Sequence, residues 1–494
     1  MGAIGLAACG DDAPTPPPHV ALTDERTHVP KAAREDPPDP RSPAVPEERA
    51  ALVAGGLGDE VDGPGDPYVT RVLGGADHPA PSAHPTLLVR FAHFADLQLA
   101  DDESPARVCS LDLPGRTDAA YRPHEAYGCR MVDAMVRTFN AIDGERPIDF
   151  VLMGGDNVDN AQQNELDWLF ALMDGGPVDC DSGLDDDPVP GPGNDPKDPF
   201  TAAGLGAIPW YWVTGNHDAL VQGNVAVSDD LRATAVGSAA TLGTVDWRLP
   251  GAPVVTDDVP ADARRVVLAP RDTVAAVAAD GDGHGLGPGD DDADGDAHYS
   301  FDVPGTRLRF VVIDTSAKGG GAPGVVRQAK VDTVIRPLLD QALSDGKWAV
   351  LAAHHSASSL GDGSDFPGTR EPDAITSEAF VALVTGYPNV ILSMVGHSHR
   401  HRIGELDGPT GSVFEVMTAS LADFPHQSRL VEIWDEGGGW LRVHTTAIDF
   451  ELGDDPLLAT ARRLGVMDWA SGWAGSGASQ PGDRNADLWI PAPP

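Results

Sequence analysis

The chain has 494 residues, 41% of them hydrophobic, which is enough for a large core built as one big domain or as one domain with long insertions. Its 34 Lys+Arg stand against 76 Asp+Glu, a formal net charge of -42. That balance excludes a binder of duplex nucleic acid or of anionic membranes that works by neutralising phosphates.

In chain order, residues 1–9 end in Leu6-Ala7-Ala8-Cys9. This resembles the bacterial lipobox, whose cysteine is diacylated after signal cleavage, and implies an exported protein tethered through Cys9 to the cell envelope, in the periplasm or at the cell surface. The alternative is a chance alanine-rich terminus. No run of about 18 apolar residues exists, so no membrane-spanning helix is expected. Residues 10–85 are rich in Pro, Gly and charge and are predicted to form a flexible linker. Besides Cys9 the chain has Cys109, Cys129 and Cys180, which allow one disulfide and one free thiol, or three buried thiols.

From Thr86 the pattern becomes apolar runs alternating with amphipathic stretches, which predicts a layered α/β arrangement. Strands are expected at Leu87 to Phe94, Asp149 to Met153, Ile208 to Val213, Leu308 to Ile313, Trp348 to Ala353 and Val390 to Val395. Helices are expected at Arg130 to Ile142, Gln162 to Met173, Val326 to Leu343 and Ser377 to Thr385. After Gly404 the texture is β-rich. Insertions at 177–199 and 225–297 are expected as lids or surface decoration. The second contains Asp290 to Gly295, the first half of a calcium-loop pattern whose closing Glu is replaced by Phe301, so a solvated acidic loop is the expectation. Residues 451–494 are expected to pack back on the domain through Trp469, Trp473 and Trp489.

Five short motifs each follow an apolar run: Asp96-Leu97-Gln98, Gly155-Asp156-Asn157, Gly215-Asn216-His217-Asp218, His354-His355 and Gly396-His397-Ser398-His399. In open α/β sheets ligands collect beyond the carboxyl ends of strands, so this is where a site should lie. Each motif alone reads as a turn or polar loop. As an ordered set the motifs resemble the calcineurin-like metallophosphoesterase superfamily over Thr86 to Phe450. The segments Leu220 to Asn224 and Thr418 to Pro425 are similar to those of its large exported bacterial members.

The resemblance implies a four-layer α/β/β/α sandwich of two mixed sheets flanked by helices, spanning 86–450. It further implies two divalent metal ions, Mn foremost with Fe or Zn as alternatives. One would be held by Asp96, Gln98, Asp156 and His399, the other by Asp156, Asn216, His354 and His397. Two such ions would give a net positive centre within an acidic chain. The activity implied is hydrolysis of a phosphate ester or anhydride by metal-activated hydroxide, with His217 acting as proton donor and Asp218 orienting its imidazole. Asn157, His355 and His401 are candidates for substrate contact; their alternatives are a turn former, a structural histidine and a surface histidine. His93 and His124 are expected to be structural.

Gln98 stands where the superfamily pattern has histidine. A neutral carbonyl oxygen in that place favours oxygen-loving Mn²⁺ over borderline metals. The same Asp-x-Gln opening is similar to that of manganese-dependent ADP-ribose and CDP-alcohol diphosphatases, which implies a phosphodiester or nucleotide-diphosphate substrate over a simple monoester. A non-catalytic envelope binding protein on the same fold is the rival, against which the retention of His217 and Asp218 speaks.

Overall fold

Phe91 and Phe150 on one sheet meet Phe310 on another edge-on, with ring centroids 5.3 and 5.2 Å apart, and this contact lies at the centre of the molecule. The computed structural model describes residues 19–75, 77–115, 117–184, 187–249, 253–287, 294–475 and 479–494. Cys9 and positions 290–293 of the acidic stretch lie outside the described residues.

Two large mixed sheets are packed face to face. The seven-stranded sheet runs in the order Val69–Val72, Ala486–Pro491, Trp440–Asp449, Gln427–Gly437, Thr86–Phe94, Phe150–Met153 and Trp210–Tyr211. The six-stranded sheet runs Tyr299–Asp302, Leu308–Ile313, Trp348–Ala353, Val390–Val395, Ser412–Met417 and Arg402–Asp407. Fully buried strands such as Trp348–Ala353 read as unbroken apolar runs because both faces are covered. The helix Gly128–Glu145 turns Met131, Val132, Met135, Val136, Phe139 and Ile142 toward the seven-stranded sheet, a spacing of three and four that makes one apolar stripe. Arg336–Ser344 and Ser377–Thr385 cover the outer face of the six-stranded sheet. This is the mixed α/β architecture expected, consistent with the metallophosphoesterase fold.

The long helix expected over Val326 to Leu343 is broken into Gln328–Lys330, a wider turn at Val331–Ile335, and Arg336–Ser344. Pro337 lacks the N–H that a continuous ladder needs.

Residues 19–75 depart from the flexible-linker expectation. Arg26–Pro30 pairs with Glu60–Pro64, and Val69–Val72 is an edge strand of the large sheet. Pro46–Ala54 buries Leu52 against Met467 and Ala470, and Thr23 donates to the Ala447 carbonyl and to Asn485. Composition disfavours an autonomous core for this segment, but the helix Pro456–Ala470 and the strand Ala486–Pro491 supply the apolar surface and hydrogen-bond partners it lacks. Trp489 is buried in the sheet, and Trp473 donates through Nε1 to the Asp39 carbonyl at 2.9 Å.

The insertion 177–199 is tied down by the Cys129–Cys180 disulfide and by Lys197, which is buried between Asp102 and Glu103. Cys109 is a free, buried thiol. Asp294 and Asp296, at the end of the acidic insertion, are paired with Arg327 and Lys330 rather than open to a cation.

Candidate metal centre

The parallel strands of both sheets end at a common edge, and the loops that leave them bring Asp96, Asp156, Asn216, His354, His397 and His399 together. Among the described residues nine non-glycine positions have positive φ, and five of them are in this cluster: Asp96, Gln98, Asp156, His397 and His399. Such conformations cost about 1–3 kcal/mol each and persist where surrounding packing dictates them, commonly at functional sites. The motif glycines let the loops close. A Cβ on Gly215 would lie 2.2 Å from Asp156 Oδ1, and one on Gly223 would lie 2.2 Å from the His217 ring.

The donor set fits a cation. Oxygen, from carboxylates and a carboxamide, and imidazole nitrogen together suit Mn²⁺, Fe or Zn²⁺. His354 gives its Nδ1–H to the Gly154 carbonyl at 2.8 Å, which leaves Nε2 buried without a hydrogen-bond partner, 3.1 Å from Asp156 Oδ2. Asn216 donates its amide to the Gly223 carbonyl at 2.9 Å, which leaves its Oδ1 buried and unpaired. Orphaned lone pairs of this kind are costly unless a cation or donor meets them. One ligand atom each of Asp96, Asp156 and His354 lie within 4.8 Å of one another. Burial opposes charge on His354, but Asp156 and Asp96 outweigh it and push the imidazole up to about 9. A bound cation would satisfy that same negative field. His399 is turned toward Asp96 by a bond from its Nδ1 to Asp423 at 2.5 Å; the carboxylate behind the ring fixes its tautomer and orientation.

At Gln98, Asp218, Asn157, His355 and His401 the geometry differs from the site roles first considered for them. Gln98 does not present its oxygen to the cluster: Oε1 accepts from Arg122 at 2.6 Å, and Nε2 faces Asp156 and His399, each at 3.4 Å. A guanidinium only donates, so it holds the oxygen side of the carboxamide. Asp218 does not touch the His217 imidazole. Its carboxylate is fully buried and accepts the backbone N–H groups of Gly215, Asp156, Asn157 and Val158, tying two motif loops together. Asn157 is likewise buried, and its amide donates to the Val213 carbonyl and to Asp218. His355 and His401 are buried with both ring nitrogens engaged, the first with Thr315 and the Ala322 carbonyl, the second with Gln427 and Arg429. His93 and His124 are buried as expected.

The residue that orients His217 is Asp159, whose Oδ1 lies 3.0 Å from His217 Nδ1, with the Asp159 carbonyl at 3.1 Å. Burial disfavours charge on that ring, yet Asp156 and Asp159 together raise its pKa. Asp159 is three residues beyond Asp156, but nothing in that spacing singles it out from an ordinary polar loop. Arg122 and Asp423, which brace Gln98 and His399, also carry no local signal. Above the cluster opens a cleft of about 440 Å³, walled by Asp118, Arg400, Phe424 and Trp469.

Two mixed sheets with carboxylates and imidazoles converging at their strand ends form a candidate metal centre. The family model for calcineurin-like phosphoesterase matches residues 89–252, which hold the first three motifs, so the chain carries a calcineurin-like phosphoesterase domain. Such domains support a metal-dependent phosphoester hydrolase in general. No curated protein matches the chain. Among solved structures, Thermus thermophilus sulfate thiohydrolase SoxB in complex with glycerol is similar at 12% identity and a TM-score of 0.31, over 79% of this chain and 60% of that one. GAP50, the anchor in the inner membrane complex of Plasmodium, is similar at 10% identity and a TM-score of 0.30, over 74% and 86%. The chain thus spans about 60% of the length of the SoxB chain.

Proposed function

We propose that the chain is a dinuclear-metal phosphoesterase acting on a phosphodiester or nucleotide-diphosphate-type substrate. The observation that carries the reading is the pair of buried, unpartnered donors, Asn216 Oδ1 and His354 Nε2, beside Asp156. One position would be held by Asp156, Asn216, His354 and His397, the other by Asp96, Asp156 and His399. When bound, two divalent ions supply Lewis acidity toward phosphoryl oxygens and an activated water for in-line attack.

The chain's own residues do the rest. His217 lines the cleft, and Asp159 holds its imidazole so that Nε2 is free to give a proton to the leaving oxygen. Asp218 keeps the loops of the second and third motifs in register through their backbone N–H groups. Gln98 turns an amide N–H toward the space between Asp156 and His399, where it can donate to a phosphate oxygen.

The same proposal places the protein outside the cytoplasm, lipid-tethered through Cys9. The Cys129–Cys180 disulfide supports an oxidising compartment. No helix among the described residues is long and apolar enough to cross a membrane.

The test is hydrolysis of bis-p-nitrophenyl phosphate by the purified protein with added Mn²⁺. Turnover is expected, with a loss of roughly 100-fold or more in Asp156→Ala and in His217→Ala. Turnover unchanged by both substitutions overturns the assignment, and metal bound without any turnover points to a binding protein on the same fold.

A further inference from the structure

Among the described residues, Arg107, Arg122, Arg265 and Arg462 are buried against the carboxylates of Glu125, Asp423, Asp101 and Asp449, and the buried Arg429 donates to the Met417, Asp483 and Arg484 carbonyls. Arg400 is different. It follows directly on His399, lines the cleft above the metal centre, and has no hydrogen bond or ion pair among the described residues. Its Nε is buried without a partner. In a chain with 76 acidic residues against 34 basic ones, an arginine left without a carboxylate is costly to hold half-buried unless an anion meets it.

It is the only arginine or lysine among the described residues that line this cleft, where it stands with the carboxylates Asp118, Asp156 and Asp423 and the site histidines. Beside it, Phe424 and Trp469 form one aromatic wall, with ring centroids 4.6 Å apart, and Trp469 Nε1 is a second buried donor with no partner. Trp469 comes from the C-terminal helix Pro456–Ala470, so this wall is built by a segment remote from the motifs.

We infer that Arg400, Phe424 and Trp469 form a subsite for the part of the substrate beyond the reacting phosphorus, taking a second anionic group joined to a planar ring. This rests on the phosphoesterase reading and narrows it to diphosphate-bearing, ring-containing substrates. The guanidinium offers a planar fork of donors for the second phosphate, and the aromatic wall offers an apolar face for the ring.

The experiment is calorimetric binding of ADP, and separately of inorganic phosphate, to the Mn²⁺-loaded protein, with melting temperatures confirming that each variant is folded. Arg400→Ala is expected to weaken ADP roughly 10- to 100-fold, and to weaken it at least about fivefold more than it weakens phosphate. Arg400→Lys, which keeps the charge but loses the fork, should fall between. Trp469→Leu should weaken ADP and leave the affinity for phosphate within about twofold. Equal weakening of ADP and phosphate by Arg400→Ala overturns the inference, because Arg400 then meets the reacting phosphate itself. Unaltered ADP binding, or wild-type protein that binds phosphate but not ADP, overturns it as well. Turnover of bis-p-nitrophenyl phosphate is measured independently, so its absence would remove the enzymatic reading while ADP binding still decides the subsite.

Discussion

The Arg122 guanidinium donates to the Gln98 side-chain oxygen at 2.6 Å, and through this one bond it sets which atom of Gln98 faces the metal centre. Arg122 is itself held by Asp423, and Asp423 also orients His399, so the three residues brace one side of the cluster as a unit.

The two proposed metal positions should therefore differ in affinity. One has four protein donors, and the other has three because the Gln98 oxygen is turned away. In calorimetric Mn²⁺ titrations, Gln98→Ala is expected to change the weaker site by less than about threefold. His399→Ala should weaken it by roughly 10-fold or more, and Asn216→Ala should do the same at the tighter site. Comparable losses in Gln98→Ala and His399→Ala would show that the carboxamide ligates.

Acid should destabilise the fold through His124. This imidazole is sealed against His426 with ring centroids 4.9 Å apart and donates to the Ala422 carbonyl at 2.6 Å. Burial pushes it down to about 4, from an ordinary value of 6.5. Between those values the unfolded chain takes up a proton that the folded chain refuses. The stabilisation is then complete above about pH 6.5 and is lost as pH falls toward about 4. The shift corresponds to about 3 kcal/mol. His124→Gln keeps a donor but cannot titrate, so its stability in urea should fall less steeply over that window than that of the wild type. Parallel curves for the two proteins would refute the argument.

Leu52 tests whether the proline-rich N-terminal segment is part of the folded unit. Its side chain is fully buried against Met467 and Ala470, so Leu52→Ala should lower stability by about 2–4 kcal/mol in chemical denaturation. A detached linker would leave the midpoint where it was.

Much of the protein is legible in its sequence. Strands such as Trp348–Ala353 and Val390–Val395 are apolar runs bounded by polar clusters, and periodicity finds them to the residue. The motif donors are legible for the same reason, since each sits shortly past such a run. The N-terminal segment is not legible in this way, because composition reports whether a stretch can build its own core, not whether a distant helix will supply one.

What the sequence by itself determined is which donors stand at the ends of which strands, because a strand's period and the loop that follows it are local properties. What only the tertiary structure decided is how those donors are turned. Gln98 and Arg122 meet across 24 residues, Arg122 and Asp423 across 301, and His217 and Asp159 across 58. Hydrogen bonds of that range depend on how two sheets and their loops pack together, and they decide that Asp159 rather than Asp218 orients His217 and that the Gln98 oxygen belongs to Arg122.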